Sequence, residues 1–208
     1  MPGSLAMAAP TTLHALLDLD GLPYPDLPHE LWRGELRRVM PAGGAHGTAV
    51  SRILVALGRH VYDHDLGELF SESTGFVLER DPDTVLCPDV AFVARERLRR
   101  GAPGLAFDAD NPTSPFPEIA PDLAVEVLSP GNRPGEIRAK VEAYLRFGVR
   151  AVWVLQPAAR KLRVHTRTAA GGQAAAVTTL GEHQELTGGE ILPGFRCRVS
   201  DLLPPLSR

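Results

Sequence analysis

The chain has 208 residues, 44% of them apolar and 23% charged, which fits one soluble domain with a full hydrophobic core. A formal charge of −3 excludes a global basic field for nucleic acid, so phosphate affinity would have to come from a local patch such as Arg95, Arg97, Arg99 and Arg100. The two cysteines, Cys87 and Cys197, are far apart and outside any CxxC pair, which argues against a zinc site or disulfide framework and for a reducing cytoplasm.

In chain order, residues 1–10 are small and featureless and are expected to be a disordered leader, with a single domain over 11–208. The start lacks the pattern of a signal peptide, and no apolar run is long enough to span a bilayer. Residues 11–19 suggest a short helix capped by Thr11 or Thr12, and the Pro-rich stretch 24–30 reads as a loop. Residues 31–40 look like a small hairpin or strand, with Gly34 in the turn. Over 46–64, Val50, Ile53, Leu54, Leu57 and Val61 recur at the spacing of one helical face, with His46 on that face one turn before Val50.

Two short strands are expected around Gly75, between Gly67 and Glu79, and then a buried strand over 85–94 broken by Pro88 and Asp89. Residues 101–121 hold five prolines and form a long irregular stretch, of the kind that is usually functional or disordered. A strand over 122–129 leads through a tight turn to a second helix over 134–147, bounded by Pro134 and Gly148. Strands at 150–156 and 161–166 follow, then one or two more within 173–187, and a last helical turn near 198–204. The strand–helix–strand unit at 122–156 predicts a parallel pair joined by a right-handed crossover. The fold class is therefore α/β, with a central mixed sheet flanked by helices.

Three residues carry the chemistry. Glu126 stands inside the apolar run Leu123-Ala124-Val125-Glu126-Val127-Leu128, where a carboxylate is costly unless paired or bound to a cation. Asp89 stands at the mouth of another buried strand. Adjacent strands lie about 5 Å apart, so the two carboxylates can converge on one hard cation. Lys140 falls at the edge of the packing face formed by Ile137, Val141, Tyr144 and Leu145, and can reach back to the end of the Glu126 strand.

Plainer readings stand beside these. Lys140 and Glu136 at i, i+4 can be a surface ion pair, and Asp89 a turn residue at the start of its strand. Glu126 can pair with an arginine such as Arg138. Replacing Glu126 by Gln separates these roles, since loss of a pair with an arginine would destabilise by roughly 3–5 kcal/mol, whereas loss of a metal ligand would leave the metal-free protein as stable or more so. His46 can be a satisfied core histidine, and His60 with His64, lacking a Glu between them, fit a solvated face. Ser129-Pro130-Gly131-Asn132 reads as a turn whose amides can meet an anion.

Taken together, Pro88-Asp89-Val90, the run Pro121 to Pro130, Lys140-Val141-Glu142-Ala143-Tyr144 and Gly148-Val149-Arg150-Ala151-Val152-Trp153-Val154 carry a resemblance. The chain resembles the Uma-two family of restriction endonucleases, in the PD-(D/E)xK nuclease superfamily, from about Glu30 to Leu203. The resemblance implies a restriction-endonuclease-like domain and metal binding by Asp89 and Glu126. It implies that Lys140 replaces the superfamily's catalytic lysine, since the position two residues after the acid is Leu128. Glu136 stands where the family usually has Asp, four residues before that lysine. Gly34-Glu35-Leu36 and His46 match the N-terminal motifs, which makes Glu35 and His46 further candidates.

The expected activity is hydrolysis of a phosphodiester, in DNA first, with Mg²⁺ as cofactor and Mn²⁺ as a substitute. A homodimer is expected because cutting both strands calls for two sites related by a two-fold axis. The other expectation is a non-catalytic nucleic-acid-binding or regulatory protein on the same fold, which the acidic charge balance favours and the Asp, Glu and Lys set opposes. A hydrolase for some other phosphate ester is a third.

Overall fold

The computed structural model describes residues 12, 29–39, 41–101, 116–167 and 175–206. The expected leader, nearly all of the expected helix over 11–19 and residues 102–115 of the irregular stretch lie outside the described residues.

The chain first forms a hairpin of β1 (His29–Trp32) and β2 (Glu35–Arg38). Its turn residues Arg33 and Gly34 both have positive φ, 46° and 80°, the backbone that closes a two-residue hairpin with the twist of its strands. The strand begins at His29, so His29 and Glu30, expected in a loop, belong to the sheet.

Helix α1 (Gly44–Asp63) buries Ala49, Val50, Ile53, Leu57 and Val61 along one face. After it, β3 (Gly67–Ser71) and β4 (Phe76–Glu79) enter different sheets. The single strand expected over 85–94 is two strands, β5 (Thr84–Leu86) and β6 (Val90–Ala94). They also lie in different sheets, and Cys87-Pro88-Asp89 carries the chain from one to the other. Pro88 has no N–H to give to a ladder, which suits it to a crossing rather than a strand interior.

A short helix α2 (Arg95–Arg99) precedes β7 (Leu123–Val127), and α3 (Pro134–Arg146) joins β7 to β8 (Ala151–Gln156). Strands β7 and β8 are parallel, as the strand–helix–strand pattern predicts. Gly148, with φ at 105°, takes the left-handed backbone that ends α3, and Val149 N–H returns to the Tyr144 carbonyl. The chain closes with β9 (Lys161–Arg167), β10 (Ala175–Gly181), the pair β11 (Glu185–Thr187) and β12 (Arg196–Arg198), and α4 (Val199–Leu202).

A six-stranded mixed sheet, in the order β10-β9-β8-β7-β6-β3, forms the centre. A four-stranded sheet, β2-β1-β5-β4, stands beside it. Alternation along β7 divides the core. Leu123, Val125 and Val127 pack with α1 and α4, whereas Ala124 joins Val141 and Tyr144 of α3 and Leu86 of the smaller sheet. Glu126 has the parity of Ala124, so its carboxylate lies on the α3 side. The architecture is the α/β mixed sheet with flanking helices that the sequence predicts.

Candidate active site

Strands β7, β6 and β3 are neighbours, and each antiparallel reversal brings the end of one beside the start of the next. Glu126 near the end of β7, Asp89 just before β6 and Glu72 just after β3 thus reach one edge of the large sheet. Helix α1 brings His46 to this edge from one face, and α3 brings Lys140 from the other.

Asp89 is held by the backbone of the adjacent strand. Its Oδ2 accepts the Val127 N–H at 2.6 Å, which leaves Oδ1 facing His46 Nε2 at 3.2 Å. His46 Nδ1 lies 2.9 Å from the Val127 carbonyl and 3.3 Å from Ser129 Oγ. Because a carbonyl only accepts, Nδ1 carries the hydrogen. In the neutral ring Nε2 is then bare and faces a carboxylate. That arrangement calls for a positive charge between them, either a proton on Nε2 or a cation. The hydrogen bond to Asp89 accordingly pulls the His46 pKa above its ordinary value, against the opposing effect of burial.

His46, Glu72 and Asp89 offer ligand atoms that all lie within 4.8 Å of one another. Two carboxylates and an imidazole whose far nitrogen is fixed by a carbonyl suit a divalent cation, and Mn²⁺ tolerates the nitrogen ligand more readily than Mg²⁺. Glu72 is exposed and was not singled out by the sequence. Its signal was only an acid at the end of a short strand, and its meaning depends on strand order.

On the α3 side, Lys140 Nζ lies 2.9 Å from Glu126 Oε1, 2.9 Å from Glu30 Oε1 and 3.3 Å from the Cys87 carbonyl. Tyr144 donates its hydroxyl to Glu126 Oε1 at 2.9 Å, and Glu30 also accepts the Cys87 N–H at 2.8 Å. Burial draws the Lys140 ammonium toward neutrality, but Glu126 and Glu30 outweigh it and hold the lysine charged beyond its ordinary range. Burial pushes the Glu126 carboxyl up to about 7, with the Lys140 charge opposing and the Asp89 and Glu30 charges adding. The Cys87 thiol is pushed up to about 12, by burial first, and is no nucleophile there.

The structure thus brings Asp89, His46, Glu126 and Lys140 to one sheet edge. It leaves two other candidates outside. Glu136 is exposed in the first turn of α3 and pairs with Arg133 at 3.7 Å rather than with Lys140. Glu35 is exposed on β2 and pairs with Arg37 at 2.8 Å. The alternative of an arginine such as Arg138 opposite Glu126 gives way to Lys140, and Arg138 is exposed on the helix. His64 is exposed as the solvated reading has it, its Nδ1 2.9 Å from the His60 carbonyl, whereas His60 is half-buried, with Nε2 2.9 Å from the Pro193 carbonyl and its ring edge-on to Phe195.

The arginine cluster is largely neutralised. Arg95 pairs with Asp65 at 2.6 Å and Glu68 at 3.3 Å, Arg97 with Asp122 at 3.2 Å, and Arg100 with Glu96. Asp122 itself is fully buried, accepts the Ala94 N–H at 2.9 Å and faces Arg150 at 3.5 Å. It ties β7 to the end of β6, away from Asp89.

A mixed sheet with a carboxylate-, lysine- and histidine-lined edge defines a nuclease-like fold of the restriction-endonuclease type. A family model described as "Putative restriction endonuclease" matches residues 14–200, and the chain belongs to that family, Uma2. A solved structure from Anabaena variabilis, titled as a putative nuclease belonging to DUF820, superposes with a TM-score of 0.73 at 17% identity. The match covers 93% of this chain and 97% of that one, which establishes the shared fold. No protein of curated function matches the chain.

Proposed function

We propose that the protein is a divalent-metal-dependent endonuclease that hydrolyses phosphodiester bonds in DNA. The observation that carries this reading is His46 Nε2 lying 3.2 Å from Asp89 Oδ1, with Glu72 close enough to share a cation. Asp89, His46 and Glu72 would hold the ion, Mg²⁺ in the cell and Mn²⁺ as a substitute. Glu126 is a further ligand if it gives up Lys140, to which it is tied at 2.9 Å. The cation supplies Lewis-acid stabilisation of the charge that develops on the phosphate.

Lys140 keeps its ammonium charged between two carboxylates, with its three hydrogens directed at Glu126, Glu30 and the Cys87 carbonyl, and would serve a phosphate oxygen or an attacking water by exchanging one of these partners. Tyr144 and Glu30 act as positioning residues, the first on Glu126 and the second on Lys140. Cleavage of both strands would use two copies of the chain related by a two-fold axis. The working compartment is the reducing cytoplasm, where Cys87 and Cys197 remain free thiols.

The test is incubation of supercoiled plasmid with the full chain and Mg²⁺ or Mn²⁺. Nicked or linear product is expected, abolished by EDTA and reduced at least ~100-fold in Asp89→Asn, on the scale at which loss of a metal-site residue acts. No product with either metal, from folded protein that binds DNA, would support the non-catalytic reading instead. Cleavage that survives Asp89→Asn would remove Asp89 from the site.

A further inference from the structure

A groove of about 1030 Å³ runs between α3 and the face of β8 and β9 that α3 partly covers. Its rim at one end is Leu128 and Asn132, in the turn that joins β7 to α3. Asn132 Oδ1 accepts the Ser129 N–H at 2.6 Å, and Ser129 Oγ lies 3.3 Å from His46. The groove therefore opens beside the candidate active site.

The charge of its lining is opposite to that of the chain as a whole. Arg33, Arg138, Arg146, Arg163 and Arg167 line it, with Glu142 as the sole carboxylate among the described lining residues. On β9 the sequence alternates, with Leu162 and Val164 turned to the core and Lys161, Arg163, His165 and Arg167 on the groove side. Arg33, Arg138, Arg163 and Arg167 are exposed and have no carboxylate partner among the described residues. The arginines of α2, by contrast, are largely spent on Asp65, Glu68, Asp122 and Glu96. Four unpaired guanidinium groups along one trough repel one another, and an extended polyanion relieves that repulsion. The pKa of His165 is lowered, by burial and then by the positive charge of Arg163, which registers the same field.

We propose that this groove, with Arg138 on its helical wall and Arg163 and Arg167 on its floor, is the track that holds the phosphate backbone of duplex DNA and leads it to the Asp89 and Lys140 edge. The proposal rests on the nuclease reading above and adds where the substrate lies. Arginine suits the task because its planar fork meets phosphate oxygens in pairs. The acidic net charge of the chain then confines attraction to one face and does not oppose it there.

The test is fluorescence anisotropy of a labelled DNA duplex with the full chain in EDTA, across a series of salt concentrations. The double variant Arg163→Gln/Arg167→Gln is expected to weaken binding at least ~10-fold and to flatten the log–log salt dependence by about 1.8, the loss of two phosphate contacts. Arg163→Lys/Arg167→Lys is expected to keep most of the salt slope, and Arg100→Gln, outside the groove, to keep all of it. All these residues are exposed, so unchanged melting temperatures verify the fold. A double Gln variant that binds with wild-type affinity and slope, while wild type still cuts plasmid, would overturn the groove and leave the nuclease reading intact. A wild-type chain that neither binds nor cuts DNA would overturn both.

Discussion

Lys140 Nζ lies 2.9 Å from Glu30 Oε1, although Glu30 belongs to the first strand of the smaller sheet and Lys140 to the helix packed on the larger one. The ammonium thus stands between two buried carboxyl groups, Glu30 and Glu126, that would otherwise face each other. Lys140→Met is expected to destabilise the metal-free protein by ~3–5 kcal/mol, the range for leaving buried charge uncompensated. Adding Glu30→Gln and Glu126→Gln is expected to restore much of the loss. Urea unfolding of the single and combined variants measures this, and purely additive effects would show that the three side chains do not act as a unit.

Glu126→Gln is expected to cost little at neutral pH, since Lys140 keeps Glu30 and the amide can still accept from Tyr144. The pH dependence should change more. The folded carboxyl titrates near 7 and the unfolded one near 4.5, so between these values the folded state binds more protons. Stability from this group is then full below about 4.5 and falls as the pH rises toward 7. Unfolding midpoints in EDTA from pH 4 to 8 should decline for wild type relative to Glu126→Gln. Parallel profiles would mean that Glu126 is ionised in the fold without penalty.

Mn²⁺ titrated into the wild-type chain by calorimetry is expected to bind at one site, and binding should be lost in Asp89→Asn and weakened ~10–100-fold in His46→Ala and Glu72→Gln. The cation competes with a proton for His46 Nε2. Because Asp89 raises the His46 pKa, the apparent affinity should begin to fall on acidification from a pH above 6.5. Undiminished binding in Asp89→Asn, or a pH-independent affinity between 6 and 8, would contradict the assignment.

Asp122 and Asp89 both follow a proline, yet their surroundings differ. Asp122→Asn is expected to destabilise by ~2–4 kcal/mol, because a fully buried carboxylate facing Arg97 and Arg150 would lose its charge. It should leave the Mn²⁺ affinity of the folded fraction unchanged. Asp89→Asn should do the reverse, and an equal loss of metal binding in both variants would place Asp122 in the site.

Much of this was legible in the sequence because it lies along single elements. The periodicity from Val50 to Val61 marked α1, and a carboxylate inside Leu123–Leu128 marked Glu126 as needing a partner. The strand–turn–helix pattern brought Lys140 back to the end of that strand, but its pairing with Glu126 was not legible, since the sequence offered a cation or an arginine such as Arg138 for that place. Glu30 and Glu72 were not legible. The prolines before Glu30 gave its segment the look of a loop, and the significance of Glu72 comes only from β3 pairing with β6. Glu35 and Glu136 stood out through family motifs, but the hairpin and the first turn of α3 direct them to solvent. The unpaired arginines of β9 were hidden in an ordinary alternating strand, whereas the conspicuous run at 95–100 is matched by acids from elsewhere in the chain.

The crossing at Cys87-Pro88-Asp89 has a mechanical corollary. Asp89 ends the segment that leaves one sheet for the other, and its carboxylate is clipped to the Val127 amide while Glu30 of the smaller sheet grips the Cys87 amide. An ion drawn to Asp89 would therefore act as a rivet at one of the points where the chain passes between the two layers. Slippage of the layers past each other would open the rivet, so metal loading and resistance to shear would rise and fall together.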